Sequence, residues 1–224
     1  MADNAKQRFA MKPNPELPTP PDPSSDNASD WVIRANQGHS IAMDPTALLL
    51  PITLEAGNVP EVIVHGTYFA FYQAIVDSGG LKRMNRNHIH FSTGLPEDKK
   101  GAVISGMRND AEVLIYVDIK KSLQDGVLWW VSENGVVLTD GDESDVLSTR
   151  YFEKVVGRKD DVGVLWENGE EKAELPMRFR DRKPPNGKGP RRPGPVKRGG
   201  RGGGRGEGRG GEKEAGELEQ KVDV

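Results

Sequence analysis

Short apolar runs separated by polar turns fill the chain from residue 31 to residue 156 and predict a body built mostly of strands. Trp31-Val-Ile-Arg34 opens it as a short strand, and Val62-Ile-Val-His65, following Pro60, predicts a second. Across residues 68–77 the apolar positions are 68, 69, 71, 72, 75 and 76, one face of an amphipathic helix that Ser78-Gly79-Gly80 ends. His88-Ile-His-Phe91 alternates as a half-buried strand does. Ala111-Glu-Val-Leu-Ile-Tyr-Val-Asp118 is apolar almost throughout and predicts a central strand. Residues 127–131, 136–139 and 151–156 supply three more, with Asn134-Gly135 marking a hairpin between the first two. Asp44-Pro-Thr-Ala-Leu-Leu-Leu50 reads as a turn or short helical piece. Seven strands with one or two helices make an α+β domain.

The flanks behave differently. Six prolines fall within residues 12–30, which excludes a helix or central strand there and predicts a loop or linker. Beyond Pro176 periodicity stops. Residues 178–210 carry twelve Lys/Arg against two acids, and residues 211–224 two bases against five. Removing those nets of +10 and −3 from the chain total of −3 leaves −10 on residues 1–177. An acidic body thus carries a basic arm. The arm's Arg198-Gly-Gly-Arg-Gly-Gly-Gly-Arg-Gly-Glu-Gly-Arg pattern has too few apolar side chains to offset its ordering entropy and suits contact with RNA phosphates and bases. The expected organisation is 1–30 as leading segment and linker, 31–176 as the folded body, and 177–224 as a disordered basic tail with an acidic end.

There is no cysteine, which excludes disulfides, thiolate catalysis and cysteine-ligated zinc. The first residues contain no apolar stretch of signal-peptide length, and the longest apolar run is too short to cross a bilayer. A monomeric protein of the cytoplasm, the nucleus or both, away from membranes, is the expectation.

Chemistry gathers in three blocks: Trp31-Val-Ile-Arg-Ala-Asn-Gln-Gly-His-Ser40, His65-Gly66-Thr67 and Met84-Asn-Arg-Asn-His-Ile-His-Phe91. Guanidinium forks suit phosphate oxygens, glycine lets backbone amides approach, and imidazole bonds hydroxyls or phosphate. Asn36-Gln37-Gly38-His39-Ser40 makes a donor-rich loop directly after a strand. His65-Gly66-Thr67 sits where a strand meets a helix, so free N–H groups and a positive helix terminus are expected to face an anion or ribose. His88 and His90 share one strand face; with His65 or His39 they could bind a metal, but neighbouring Arg86 opposes a cation, and no metal is expected.

These blocks, with Ser105-Gly-Met-Arg108, Lys6-Gln-Arg-Phe9 and Tyr151-Phe-Glu-Lys-Val155, resemble the RNA 2′-phosphotransferases of tRNA splicing over residues 4 to 157. The resemblance implies an ADP-ribosyltransferase-like split-sheet lobe that binds NAD as co-substrate, with 2′-phosphorylated spliced tRNA as partner. It implies catalytic roles for Arg34 and Arg86. His65, Gly66 and Thr67 are then cofactor contacts, with Gly79, Gly80 and Arg108 as further ones. Arg34, Gln37, His39, Ser40, His88 and His90 face the substrate phosphate and RNA. The family also uses an adjacent Arg-His pair from an N-terminal lobe; no Arg-His occurs in this sequence, so a missing lobe and impaired turnover are expected. Two other readings remain, a noncatalytic RNA-binding protein retaining the pocket and an NAD-dependent protein ADP-ribosyltransferase. The only Glu-x-Glu spacings, at Glu212 and Glu217, lie in the tail, away from the three blocks.

Overall fold

The computed structural model describes residues 6–39, 44–45, 48–97 and 106–184. Contacts divide the chain into two units, Met1–Gly189 and Pro190–Val224. Everything below concerns the first; the Arg/Gly-rich tail lies outside the described residues, as do Ser40 and Ser105.

The described residues begin with β1 (Phe9–Pro13), β2 (Trp31–Ala35), β3 (Leu50–Ile52) and β4 (Val64–Thr67). Helix α1 (Phe69–Asp77) leads to β5 (Gly80–Lys82), β6 (Ile89–Phe91) and β7 (Val113–Val117). After α2 (Ile119–Gln124) come β8 (Trp129–Val131), β9 (Val137–Thr139), β10 (Val146–Ser148) and β11 (Phe152–Gly157). The last elements are β12 (Val164–Glu167), β13 (Glu170–Glu171) and α3 (Met177–Arg180).

One sheet has the order β13-β12-β11-β7-β4 and a second the order β3-β8-β9-β6. Two-stranded ribbons, β1-β2 and β5-β10, complete an α+β fold in which the ladders among the described residues are all antiparallel. β7 is apolar on both faces because both are covered, and it sits inside its sheet between β11 and β4. Gly135 takes φ +75° in the β8–β9 turn, a conformation glycine adopts without steric cost. Phe91, Trp129 and Val137 from one sheet and Val113, Ile115, Phe152 and Val155 from the other belong to a single buried cluster, which α1 joins through Phe69 and Tyr72. A pair of backbone hydrogen bonds between Val64 and Ser92, each 2.9 Å, ties the two sheets together and sets β4 beside β6.

Two expectations need correction. Residues 9–13 belong to the fold rather than to a linker: β1 pairs with β2 along its whole length, and Pro13, which lacks an N–H, ends it. The body also runs past the expected boundary at Pro176, because α3 follows and its Phe179, 7% exposed, stacks on Phe69 at 4.5 Å between ring centroids. The expected turn is present at Pro45, whose carbonyl accepts from the N–H groups of Leu48 and Leu49, and β3 begins directly after it at Leu50.

Candidate functional site

The strand junction between the sheets brings the three blocks together. His65 lies on β4 and His90 on β6, and His65 Nδ1 is 2.9 Å from the carbonyl of His90. A carbonyl only accepts, so Nδ1 carries the proton and Nε2 is left as an acceptor. His90 Nε2 lies 3.0 Å from Gln37 Oε1 in the loop after β2. The backbone of Asn87 donates to the His39 carbonyl at 3.1 Å, fastening that loop to the segment carrying Arg86. Gln37, His90 and His65 thus form one relay linking segments far apart in sequence.

Burial sets the charge of this relay. It lowers the pKa of His65, with the nearby Arg108 acting the same way, and it lowers that of His88, whose ring meets Trp130 edge-on at 5.4 Å. Burial, aided by the charge of Arg86, pushes His90 down to about 3. All three imidazoles are therefore neutral hydrogen-bonding groups at neutral pH.

The cations stand at the rim. Arg34 is exposed on β2, and its Nη2 donates to Glu133 Oε2 at 2.8 Å in the β8–β9 turn. Arg86 is exposed in the β5–β6 connection. Arg108 lies over the Tyr68 ring at 5.2 Å, and Tyr68 in turn donates its hydroxyl to Asp110 at 2.9 Å. A shallow open cleft has Leu48, Leu49 and Leu138 as its apolar wall and Gln37, His39 and His88 on its polar side.

The terminus of α1 differs from the expectation that it would face an anion. The N–H of Phe69 is taken by Glu112 Oε2 at 3.1 Å, so an internal carboxylate already satisfies that donor and the positive helix end. Gly66 is required by packing, since a Cβ there would run into Met107 and lie 2.7 Å from Ala111 Cβ. Gly79 and Gly80 are at the far end of α1 from Thr67. Both have positive φ, and a Cβ on Gly80 would strike the Leu147 carbonyl, which explains the glycine by the β5–β10 pairing. Glu133, Tyr68, Asp110 and Glu112 escaped the sequence reading, because nothing in their local pattern shows which distant side chains they meet. No group of three or more histidine, aspartate or glutamate side chains among the described residues is arranged to hold a metal ion. No helix among them is long and apolar enough to cross a membrane.

The class of protein these observations describe is an α+β domain that sets half-buried neutral imidazoles near exposed guanidinium groups. The sequence model for the RNA 2'-phosphotransferase, Tpt1 / KptA family matches residues 1–141. The chain belongs to this family. It is 40% identical over 154 residues to tRNA 2'-phosphotransferase 1 of Danio rerio, covering 69% of this chain and 62% of that protein. Against tRNA 2'-phosphotransferase 1 of Homo sapiens it is 35% identical over 171 residues, 76% of this chain and 61% of the relative. With the tRNA 2'-phosphotransferase of Saccharomyces cerevisiae it shares 37% over 123 residues, 54% and 47% of the two chains. The chain therefore spans less than two thirds of the length of each of these relatives.

Proposed function

We propose that this chain carries the NAD-binding, ADP-ribosyltransferase-like lobe of a tRNA 2′-phosphotransferase. In this reading it moves the splice-junction 2′-phosphate of ligated tRNA onto NAD. The products are ADP-ribose 1″,2″-cyclic phosphate, nicotinamide and RNA with a free 2′-hydroxyl. The hydrogen bonds from His65 to the His90 carbonyl and between the His90 ring and Gln37 carry this reading, because they bring the three blocks together in space. The relatives, named as tRNA 2'-phosphotransferases, support the substrate.

The residues suit a dinucleotide. His65, neutral and with its Nδ1 proton committed to a carbonyl, presents Nε2 to a ribose hydroxyl. In this reading Gly66 and Thr67 follow on the same strand, and the Arg108 guanidinium, held over the Tyr68 ring, complements a pyrophosphate. NAD supplies an electrophilic anomeric carbon and nicotinamide as leaving group. Arg34 and Arg86 grip the RNA phosphate so that one oxygen forms the bond to C1″ while the glycosidic electron pair departs with nicotinamide. In the second step the ribose 2″-oxygen bonds to phosphorus, the P–O2′ bond breaks, and the 2″-hydroxyl proton ends on the RNA oxygen. Negative charge crowds at phosphorus in both steps, and fixed guanidinium groups stabilise it. In this reading Gln37, His39, His88 and His90 meet the RNA, a role the family resemblance extends to Ser40, and the Arg/Gly-rich tail adds affinity through phosphate contacts.

The test is incubation with NAD and an oligonucleotide carrying a labelled internal 2′-phosphate. Labelled ADP-ribose cyclic phosphate is expected. Transfer of ADP-ribose to protein without that product would instead favour protein ADP-ribosylation, and no NAD binding at all would overturn the reading. Deleting residues 190–211, which spares the packed Phe179 and the paired Arg182, should weaken RNA binding and flatten its salt dependence.

A further inference from the structure

Thr67, Tyr68 and Phe69 form the corner where β4 becomes α1, and one residue holds both sides of it. The N–H of Glu112 donates to the Thr67 carbonyl at 2.8 Å, while Glu112 Oε2 accepts from the N–H of Phe69 at 3.1 Å. Its own carbonyl accepts from the N–H of Arg158 at 2.8 Å. Tyr68, the residue clamped between, is the one that bonds Asp110 and carries Arg108 on its ring.

A carboxylate so placed needs a counter-charge, since its side chain is only 18% exposed. Arg182 supplies it, with Nε 3.4 Å from Glu112 Oε1. The guanidinium is itself fixed: it lies 5.6 Å from the Phe69 ring and 5.7 Å from that of Phe179, and Nη1 donates to Asp160 at 2.7 Å. Arg182 lies well beyond residue 141, where the family match ends. A residue outside the matched stretch therefore secures the carboxylate that closes the ligand-side corner.

We propose that Glu112, locked by Arg182, is a positioning residue for ligand binding at the β4–α1 corner, and that the C-terminal segment acts on the site through this pair. The inference rests on the NAD reading above. Without the carboxylate the Phe69 N–H loses its partner, the first turn of α1 frays, and His65, Gly66 and Thr67 lose their fixed placement.

The test uses the full chain with Glu112→Ala, Glu112→Gln, Arg182→Ala, Arg182→Lys and the double variant Glu112→Gln/Arg182→Ala. NAD affinity is read by calorimetry, and hydrogen exchange is followed over residues 65–72. Glu112→Ala should weaken NAD binding about tenfold, because placement of the contacting groups is lost. Glu112→Gln keeps an acceptor for Phe69 and Arg182→Ala keeps the cap, so each should lose about three- to fivefold, as partly exposed ion pairs do. If the pair acts as one unit, the double variant is no weaker than either single, and Arg182→Lys restores most of the affinity. The Phe69 amide should exchange fastest in Glu112→Ala. Should that variant fail to fold, Glu112→Gln and Arg182→Ala carry the test.

Additive losses would overturn the proposal. So would an equal loss of affinity in Ser122→Ala, which breaks the buried Trp129–Ser122 hydrogen bond far from the corner. Wild-type protein that does not bind NAD would sink the functional reading separately; exchange accelerated only at the corner would still uphold the lock, and unchanged exchange would sink that too.

Discussion

β2 and β4 both deliver candidate site residues, yet they do so by opposite physical means. β2 belongs to a two-stranded ribbon, with Ile33 64% exposed and Arg34 held only by a surface pair to Glu133. β4 is an edge strand of the five-stranded sheet whose outer side is bonded to Ser92 of the second sheet, and it carries His65 between buried neighbours. Exposed guanidinium stays charged and hydrated until a ligand replaces its water, whereas buried imidazole is neutral and already oriented. Charge is thus supplied by the exposed rim and geometry by the packed interior. Substitutions on the two strands should separate catalysis from stability accordingly.

The largest effect is expected at Arg34. Arg34→Ala should lower 2′-phosphate transfer by about a hundredfold or more, the scale of removing one preorganised charge-stabilising donor. Its melting temperature should stay close to that of wild type, because an exposed pair contributes little to folding. Parallel turnover and thermal-denaturation measurements check this; a large stability loss would erase the distinction between rim and interior.

Gly66→Ala on β4 should do the reverse. The added methyl group meets Ala111 Cβ as well as Met107, and while methionine can swing aside, a Cβ fixed to neighbouring backbone cannot. Overpacking of this kind costs about 2 kcal/mol. Urea unfolding measures it, and NAD affinity should fall in the same variant.

The same contrast explains what could be read in the sequence. β7 is legible as an unbroken apolar run, α1 because its apolar residues repeat with the helical period, and the β8–β9 hairpin because Asn134-Gly135 demands a particular turn. The short strands were not. Leu50-Pro51-Ile52 contains a proline, β13 is two glutamates, and β5 opens on a glycine; each is a strand only because a partner is present. Candidate residues on β4 and β6 were visible as clustered histidines and glycines. Their environment was not, since the Glu112 cap on α1 and the Glu133 partner of Arg34 arise from contacts between residues 43 and 99 positions apart.

The interior histidines predict a pH dependence of stability. Burial lowers the folded-state pKa of His90 to about 3 and that of His65 below its ordinary value of 6.5. On acidification the unfolded chain takes up protons at these positions before the folded chain does, so the unfolded state binds more protons and stability rises with pH. The contribution is complete above pH 6.5 and is lost as pH falls from there toward 3. Urea midpoints at pH 7.5, 6 and 5 should fall in that order, and His90→Asn should flatten the slope. A slope unchanged by the substitution would mean that His90 titrates normally.

The smallest effect is expected at Glu133. Its carboxylate occupies the guanidinium that the proposed phosphate would need, so RNA must displace one anion to bind another. Glu133→Gln keeps the shape and removes that competition, and should tighten binding of a 2′-phosphorylated oligonucleotide by about two- to fivefold, the worth of an exposed pair. The unphosphorylated oligonucleotide should show a smaller gain, since only the phosphate competes for the fork. Fluorescence anisotropy with both oligonucleotides separates these outcomes. An equal gain for both would mean that Glu133 merely repels the RNA backbone, and would detach Arg34 from the 2′-phosphate.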